Sequence, residues 1–193
     1  RSGLTPRPFP AQIQADMKTI KTLYAVVLST GILTQAALAA DAPEAKWVSL
    51  FNGKDLTGWV GVNEVDFKVV DGNLQLVKGM GWLRTEKQYQ DFILELEWRA
   101  LVKEYDSGIF IRAGVEGKPW PNGGWQVNLR SQGLGAFVKG YKTMVPSETP
   151  RKAVNQWVKL RLEVRGKKCK LSMDGEDAWD TDVIDAERGY IGI

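Results

Sequence analysis

Phe92 to Val102 reads FILELEWRALV, and its alternation constrains the fold more than any other feature of the chain. Phe92, Leu94, Leu96 and Trp98 fall on one side of an extended segment, and Glu95, Glu97 and Arg99 fall on the other. A helix would scatter these apolar residues around its circumference, so the run predicts a half-buried β-strand. The same period recurs in WVSLF (47–51), GWLRT (81–85), GIFIR (108–112), WQVNL (125–129), GAFVKGY (135–141), WVKLRLEV (157–164) and KCKLSM (168–173). FKVV and NLQL flank Asp71-Gly72, a strong two-residue hairpin signal. Arg165-Gly166-Lys167 joins two further strands, and DGEDAWDTD (174–182) reads as a hairpin with an exposed turn. Helix signals are almost absent. Short strands at close spacing with Gly-rich turns predict an all-β sandwich or jelly roll.

The chain divides before this strand-rich part. Residues 1–16 are Pro-rich and aperiodic and read as an upstream segment outside any domain. Residues 17–39 read as a secretory signal peptide: Lys18 and Lys21 lead an apolar stretch from Leu23 to Leu33, and Ala37-Leu38-Ala39 forms a cleavage site before Ala40. A periplasmic or extracellular location follows. Ser29, Thr30 and Thr34 interrupt the apolar stretch, which is too short for a stable membrane span once the signal is removed. Residues 46–193 form one domain. The chain stops at Ile193 inside the apolar run GYIGI, so the domain is expected to lack its last C-terminal strand and to leave a sheet edge unpaired.

Charge and rare residues exclude several functions. Lys and Arg total 26 against 23 Asp and Glu, but Arg1, Arg7, Lys18 and Lys21 precede Ala40, with only Asp16 opposing them. The remainder is neutral and offers no basis for nucleic-acid binding. There is no histidine, so His bases and ordinary zinc sites are absent. Cys169 is the only cysteine, so no intrachain disulfide forms. No cofactor is evident. Carboxylates and carbonyl oxygens leave a divalent metal, Ca²⁺ or Mg²⁺, open, but no ligand spacing stands out.

The alternating strands show two kinds of polar face. In 157–164, Lys159, Arg161 and Glu163 oppose Val158, Leu160, Leu162 and Val164, as on a solvated outer sheet. The second kind is richer. Glu95, Glu97 and Arg99 share one face of 92–99, Phe110 and Arg112 share one face of 109–112, and Gln126 and Asn128 share one face of 125–129. If these segments are neighbours, they present carboxylates, arginines, amides and an aromatic ring to one hollow, the ingredients of sugar recognition. An ion-paired outer surface is the alternative. Trp82 and Trp120 are the candidates for stacking on a sugar, with Trp120 in the loop KPWPNGG. Lys139 and Tyr141 would line one end. Trp47, Trp59, Trp98 and Trp157 are expected in the core.

WVSLFNGKDLTGW (47–59), FKVVDGNLQL (67–76), GWLRTEKQYQDFILELEWR (81–99), DSGIFIR (106–112) and GYIGI (189–193), in that order, resemble the 3-keto-disaccharide hydrolase family. The resemblance covers essentially 46–193. It implies a concanavalin A-like jelly-roll sandwich with its site on the concave sheet. It also implies action on a small-molecule carbohydrate, a 3-keto-glycoside or 3-keto-disaccharide, by hydrolysis or by 1,2-elimination followed by hydration. Two positions depart from the family pattern. Asp106-Ser107-Gly108 stands where Asn-Ser-Gly is usual, and Gln126 stands where a Glu is usual. An amide exchanges no proton, so this second change implies weakened or lost turnover, with a non-catalytic carbohydrate-binding module as the alternative.

A ketone at C3 acidifies the C2 hydrogen, and the C1 substituent then leaves by β-elimination. That chemistry needs a base near C2, a partner for the enolate oxygen and an acid for the leaving group. With no histidine, Glu97 is the expected base, Arg112 the oxyanion partner, and Asp106 the acid or a metal ligand. Gln126 and Asn128 would orient hydroxyls.

Overall fold

The computed structural model describes residues 47–193 and two short upstream strands. The strands are β1 (Ala15–Met17), β2 (Tyr24–Ala25), β3 (Val48–Ser49), β4 (Trp59–Val70), β5 (Asn73–Tyr89), β6 (Phe92–Ala100), β7 (Asp106–Ala113), β8 (Trp125–Arg130), β9 (Phe137–Lys139), β10 (Lys142–Val145), β11 (Val158–Arg165), β12 (Lys168–Met173), β13 (Glu176–Thr181) and β14 (Gly189–Gly192). No helix occurs among the described residues. Apart from β1 and β2, the expected upstream segment and signal peptide, with its cleavage site, lie outside the described residues.

The strands form two layers, and every pairing is antiparallel. One sheet runs β10-β9-β8-β7-β14-β5, with β4 on β5; the other runs β6-β11-β12-β13. The short β1 pairs with both β5 and β6, and β2 pairs with β6 beside it. This is the all-β jelly-roll sandwich expected from the alternation. The β4–β5 hairpin turns at Asp71 and Gly72, both at positive φ (50° and 76°), the geometry that the Asp-Gly pair supplies at low cost. β5 is one continuous strand where the sequence predicted two. β14 lies between β5 and β7, so both its edges are paired, and Ile193 exchanges backbone hydrogen bonds with Leu83.

One core fills the space between the layers. Phe92, Leu94, Leu96 and Trp98 from β6 meet Ile109, Ile111, Trp125, Val127 and Phe137 from the opposite sheet. Fully burying each such side chain contributes about 1.5–3 kcal/mol. Phe137 stacks on Trp125 at 4.7 Å and on Trp179 at 4.9 Å, and the Trp179 indole donates to the Gly135 carbonyl, tying β13 to the facing sheet. Trp59 and Trp98 are in this core as expected. Trp47 is not: it is 36% exposed. Trp157 is half-buried under the Arg99 guanidinium, 4.8 Å from its ring.

β6 does not lie beside β7 and β8. Its neighbour is β11, with Glu95 opposite Arg161 and Glu97 opposite Lys159. The strand expected to floor a hollow with Phe110 and Gln126 is therefore in the other sheet. Its hydrophilic residues continue the charged outer face of 157–164. The pattern of single strands could not separate these alternatives, because alternation fixes which residues share a face and not which strands share a sheet.

Candidate functional site

The outer face of the β7–β8 sheet is built from the residues that the core does not take. Trp82 on β5, Phe110 on β7, Val62 on β4 and Tyr190 on β14 pack there with Trp120 of the β7–β8 loop. Trp82 and Phe110 meet edge to face at 5.4 Å. Gly192 leaves room for them: a Cβ there would lie 2.3 Å from the Trp82 ring. Trp82 is 1% exposed, too covered to be the stacking platform expected of it. Its indole N–H is buried on this face and has no hydrogen-bond partner. The Arg84 guanidinium lies 4.2 Å from the Tyr190 ring centroid.

Gln126 sits beside Phe110 in register, and Asn128 beside Gly108. The Gln126 side chain crosses the Cα of Gly108 so closely that a Cβ there would fall 1.9 Å from its Nε2. Glycine at 108 therefore sets where the amide lies.

A cleft of about 180 Å³ opens at this point. Phe110, Trp120, Gln126, Lys118, Asn122 and Tyr141 line it, with Pro121 and three glycines. It brings together four of the residues predicted from sequence: Phe110, Trp120, Gln126 and Tyr141. Tyr141, 90% exposed, stands at its mouth. A broader cleft of about 360 Å³ adjoins it, lined by Asn63, Glu64, Met80, Lys118 and Pro119. Lys118 borders both. Asn63 ties the β7–β8 loop to the β4–β5 hairpin, its Nδ2 donating to the carbonyls of Gly117 (3.3 Å) and Pro119 (2.9 Å).

Arg112 does not join this face. β7 and β14 fall out of register between the pairs Tyr190–Ala113 and Gly192–Phe110, and Arg112 lies in that irregularity with φ +46°. A bulge reverses the direction of the next side chain. The guanidinium turns inward, only 4% of the residue exposed. Nε donates to the Gln90 carbonyl (2.7 Å), Nη1 to the Gly166 (2.6 Å) and Ala186 (2.7 Å) carbonyls, and Nη2 to Asp91 (2.9 Å). Asp91 also accepts from the Gly166 N–H. Arg112 is thus a clamp holding three connections together, with few donors left for an oxyanion. Burial lowers its pKa and Asp91 opposes that fall. Burial also pushes the nearby Cys169 thiol up to about 12, so it stays protonated.

Glu97 lies 4.0 Å from Lys159 on the outer face of the β6 sheet, and Glu95 pairs there with Arg161, which also holds Glu163. Arg99 covers Trp157 on that face. These three residues and the Phe110 cleft belong to different sheets. Lys139 shares a face with Trp125, 5.4 Å from its ring, and pairs with Asp185 rather than lining the cleft. Asp106 is on the same face as Gly108 and Phe110, but four residues along the strand from Phe110, about 13 Å away. Burial raises its pKa, and Arg130 at 3.5 Å opposes the rise. Among the described residues no three acids or cysteines gather in a metal-holding group.

Lys118, Asn122, Glu64, Arg84 and Tyr190 were not singled out by sequence. Lys118 and Asn122 flank the predicted Trp120, so the loop itself was the available signal. Glu64 follows Asn63, whose positive φ (62°) interrupts the alternation that would have marked the strand.

Residues 46–193 match the 3-keto-alpha-glucoside-1,2-lyase-like domain. No curated protein is significantly similar in sequence. Among solved structures, the chain is similar to a candidate glycosyl hydrolase from Parabacteroides distasonis (20% identity, TM-score 0.59, covering 75% of this chain and 85% of that one). It is equally similar to the carbohydrate-binding module CBM66 from Bacillus subtilis (20% identity, TM-score 0.58, covering 72% and 87%). At these identities the likeness establishes the sandwich fold.

Proposed function

The chain belongs to the 3-keto-alpha-glucoside-1,2-lyase-like family, and from that premise we propose that it cleaves 3-keto-glycosides in the Phe110–Trp120 cleft, by hydrolysis or by 1,2-elimination and hydration. The observation that carries this reading is the cleft's lining. Trp120, only half-buried, offers a ring face to the apolar side of a pyranose, and the buried Phe110 backs the cleft. Gln126 and Asn122 offer both donors and acceptors to its hydroxyls. Lys118 supplies the cation. A volume of about 180 Å³ suits one sugar ring.

In this reading the Lys118 ammonium faces the C3 oxygen and carries the charge of the enolate. Glu64, across Lys118 in the adjoining cleft, takes the C2 proton and delivers it to the departing C1 oxygen. The C2–H and C1–O bonds break, a C1–C2 double bond forms, and water then adds across it. Glu97 and Arg112 have no part in these steps. Export to the periplasm or beyond is part of the proposal and rests on the expected signal peptide.

A binding module is the second reading, favoured by one feature: among the described residues lining the smaller cleft there is no carboxylate, and its central polar group is the amide of Gln126. Incubating the chain with 3-keto-cellobiose separates the two. Release of sugar, lowered about 100-fold or more by Lys118→Met, is the expected result. Saturable binding without product makes the protein a module, and neither binding nor release removes the carbohydrate assignment from this face.

A further inference from the structure

We infer that the broader cleft receives the leaving part of the glycoside and selects an apolar aryl aglycone over a second sugar. The inference rests on the placement of the reacting ring in the smaller cleft.

Three observations carry it. First, the clefts meet at Lys118, which lines both. A ring held against Trp120 with its C3 oxygen at Lys118 and its C1 oxygen toward Glu64 directs its substituent into the Met80 side. Second, the broader cleft has twice the room, about 360 Å³ against 180 Å³, and is more open. Third, its lining suits no sugar well. Met80 is 56% exposed, a large apolar side chain held in the open opposite Glu64 in register. Pro119 adds a second apolar surface. The Asn63 amide nitrogen is already engaged by the Gly117 and Pro119 carbonyls, leaving only its oxygen. Lys118 and Glu64 are the remaining polar side chains, and both are committed to the reacting ring, Lys118 at its C3 oxygen and Glu64 at its C2 proton and C1 oxygen. A second pyranose brings several hydroxyls that each need a partner when water is displaced. An aryl group needs none, and a thioether packs well against an aromatic ring edge.

The smaller cleft shows what a sugar-facing wall looks like in this protein. It pairs rings with amides, whereas the broader one pairs a thioether and a proline with the reacting groups. The difference assigns the two halves of the substrate.

The test compares 3-keto-4-nitrophenyl-glucoside with 3-keto-cellobiose. The expected kcat/KM favours the aryl substrate, and because 4-nitrophenolate is also the better leaving group, the contact is read from the part of that preference, about tenfold, that Met80 supplies. Met80→Glu lowers kcat/KM for the aryl substrate more than for the disaccharide and so removes that part of the preference, while Met80→Leu retains it. Met80 is exposed, so neither change threatens folding. A ratio of the two rates unaltered by Met80→Glu overturns the inference and leaves the cleavage reading standing. If neither substrate turns over, cleavage fails instead. The dissociation constants of 4-nitrophenyl-glucoside and cellobiose, read by tryptophan fluorescence, then decide the inference: tighter aryl binding that Met80→Glu abolishes supports it, and equal binding overturns it.

Discussion

The two outer faces of the sandwich come from strands that look alike in sequence and behave in opposite ways. On the β6–β11 face, Glu95, Arg161 and Glu163 form a connected set of ion pairs, and Glu97 lies opposite Lys159. These side chains are half in water. On the β7–β8 face, the same alternation presents Phe110, Gln126 and the covered Trp82, with a loop folded over them. The difference lies in what covers the face. A long connection, residues 114–124, returns across one sheet and encloses a volume; nothing described covers the other. A loop makes one face concave, and the polar residues of the other solvate the sheet.

The largest expected effect tests the residue assigned by alternation to the wrong side. Arg112→Met should cost about 3–5 kcal/mol, because it leaves Asp91 charged and three carbonyls without donors in a buried place. Urea unfolding measures it. Full stability with lost turnover would return Arg112 to the site and dissolve the contrast between the faces.

A smaller loss is expected at Gly108. Adding a methyl group there forces the Gln126 amide aside, at about 1–3 kcal/mol. Affinity for a glycoside should fall with it, about tenfold for a displaced hydrogen-bonding group. Gln126→Ala should match the loss of affinity and spare the stability, as titration and unfolding of the two variants would show. An unchanged affinity in both would remove Gln126 from the cleft.

These two residues also mark how far the sequence was legible. Strand positions followed from alternation, since core-facing residues must bury and their neighbours must not. The hairpin at Asp71-Gly72 followed from the positive φ that both residues tolerate. Gln126 and Phe110 were placed together because β7 and β8 are adjacent both in sequence and in space. β6 and β11 pair across 60 residues at Trp98–Val158 and 72 at Phe92–Val164, with other strands between them, and nothing local specifies that partnership. Arg112 was misplaced by a single extra residue in a ladder, which shifts every inference beyond it. The cleft positions of Lys118 and Glu64 were not legible because a cleft between a loop and a hairpin has no period.

On the charged face, Glu97→Gln and Arg161→Gln should each change stability by no more than about 1 kcal/mol, since exposed pairs gain little in water and are screened by salt. Neither should alter sugar release. The pair is the sharpest control for the contrast, because Glu97 satisfies every sequence criterion for a catalytic base except location. Loss of turnover in Glu97→Gln, with folding intact, would overturn the separation of the two faces.

The smallest effect is expected at the border, where Asp106 lies on the cleft face but outside the loop's cover. Partial burial raises its pKa above the ordinary 3.8, and Arg130 limits the rise. The folded protein therefore holds this proton more tightly than the unfolded chain, and across the window from 3.8 up to the raised value stability falls as pH rises. The cost of the charge is absent below 3.8 and fully present at neutral pH. Asp106→Asn removes the titration, so its unfolding midpoint should match the wild type in acid and lie slightly above it at pH 7. Because the side chain is 56% exposed, water weakens the effect, and the two curves should separate only modestly. A wild type that gains stability relative to the variant as pH rises would mean that the Arg130 pair dominates. Asp106 would then belong with the ion-paired face in its physics, although it shares a strand with the cleft.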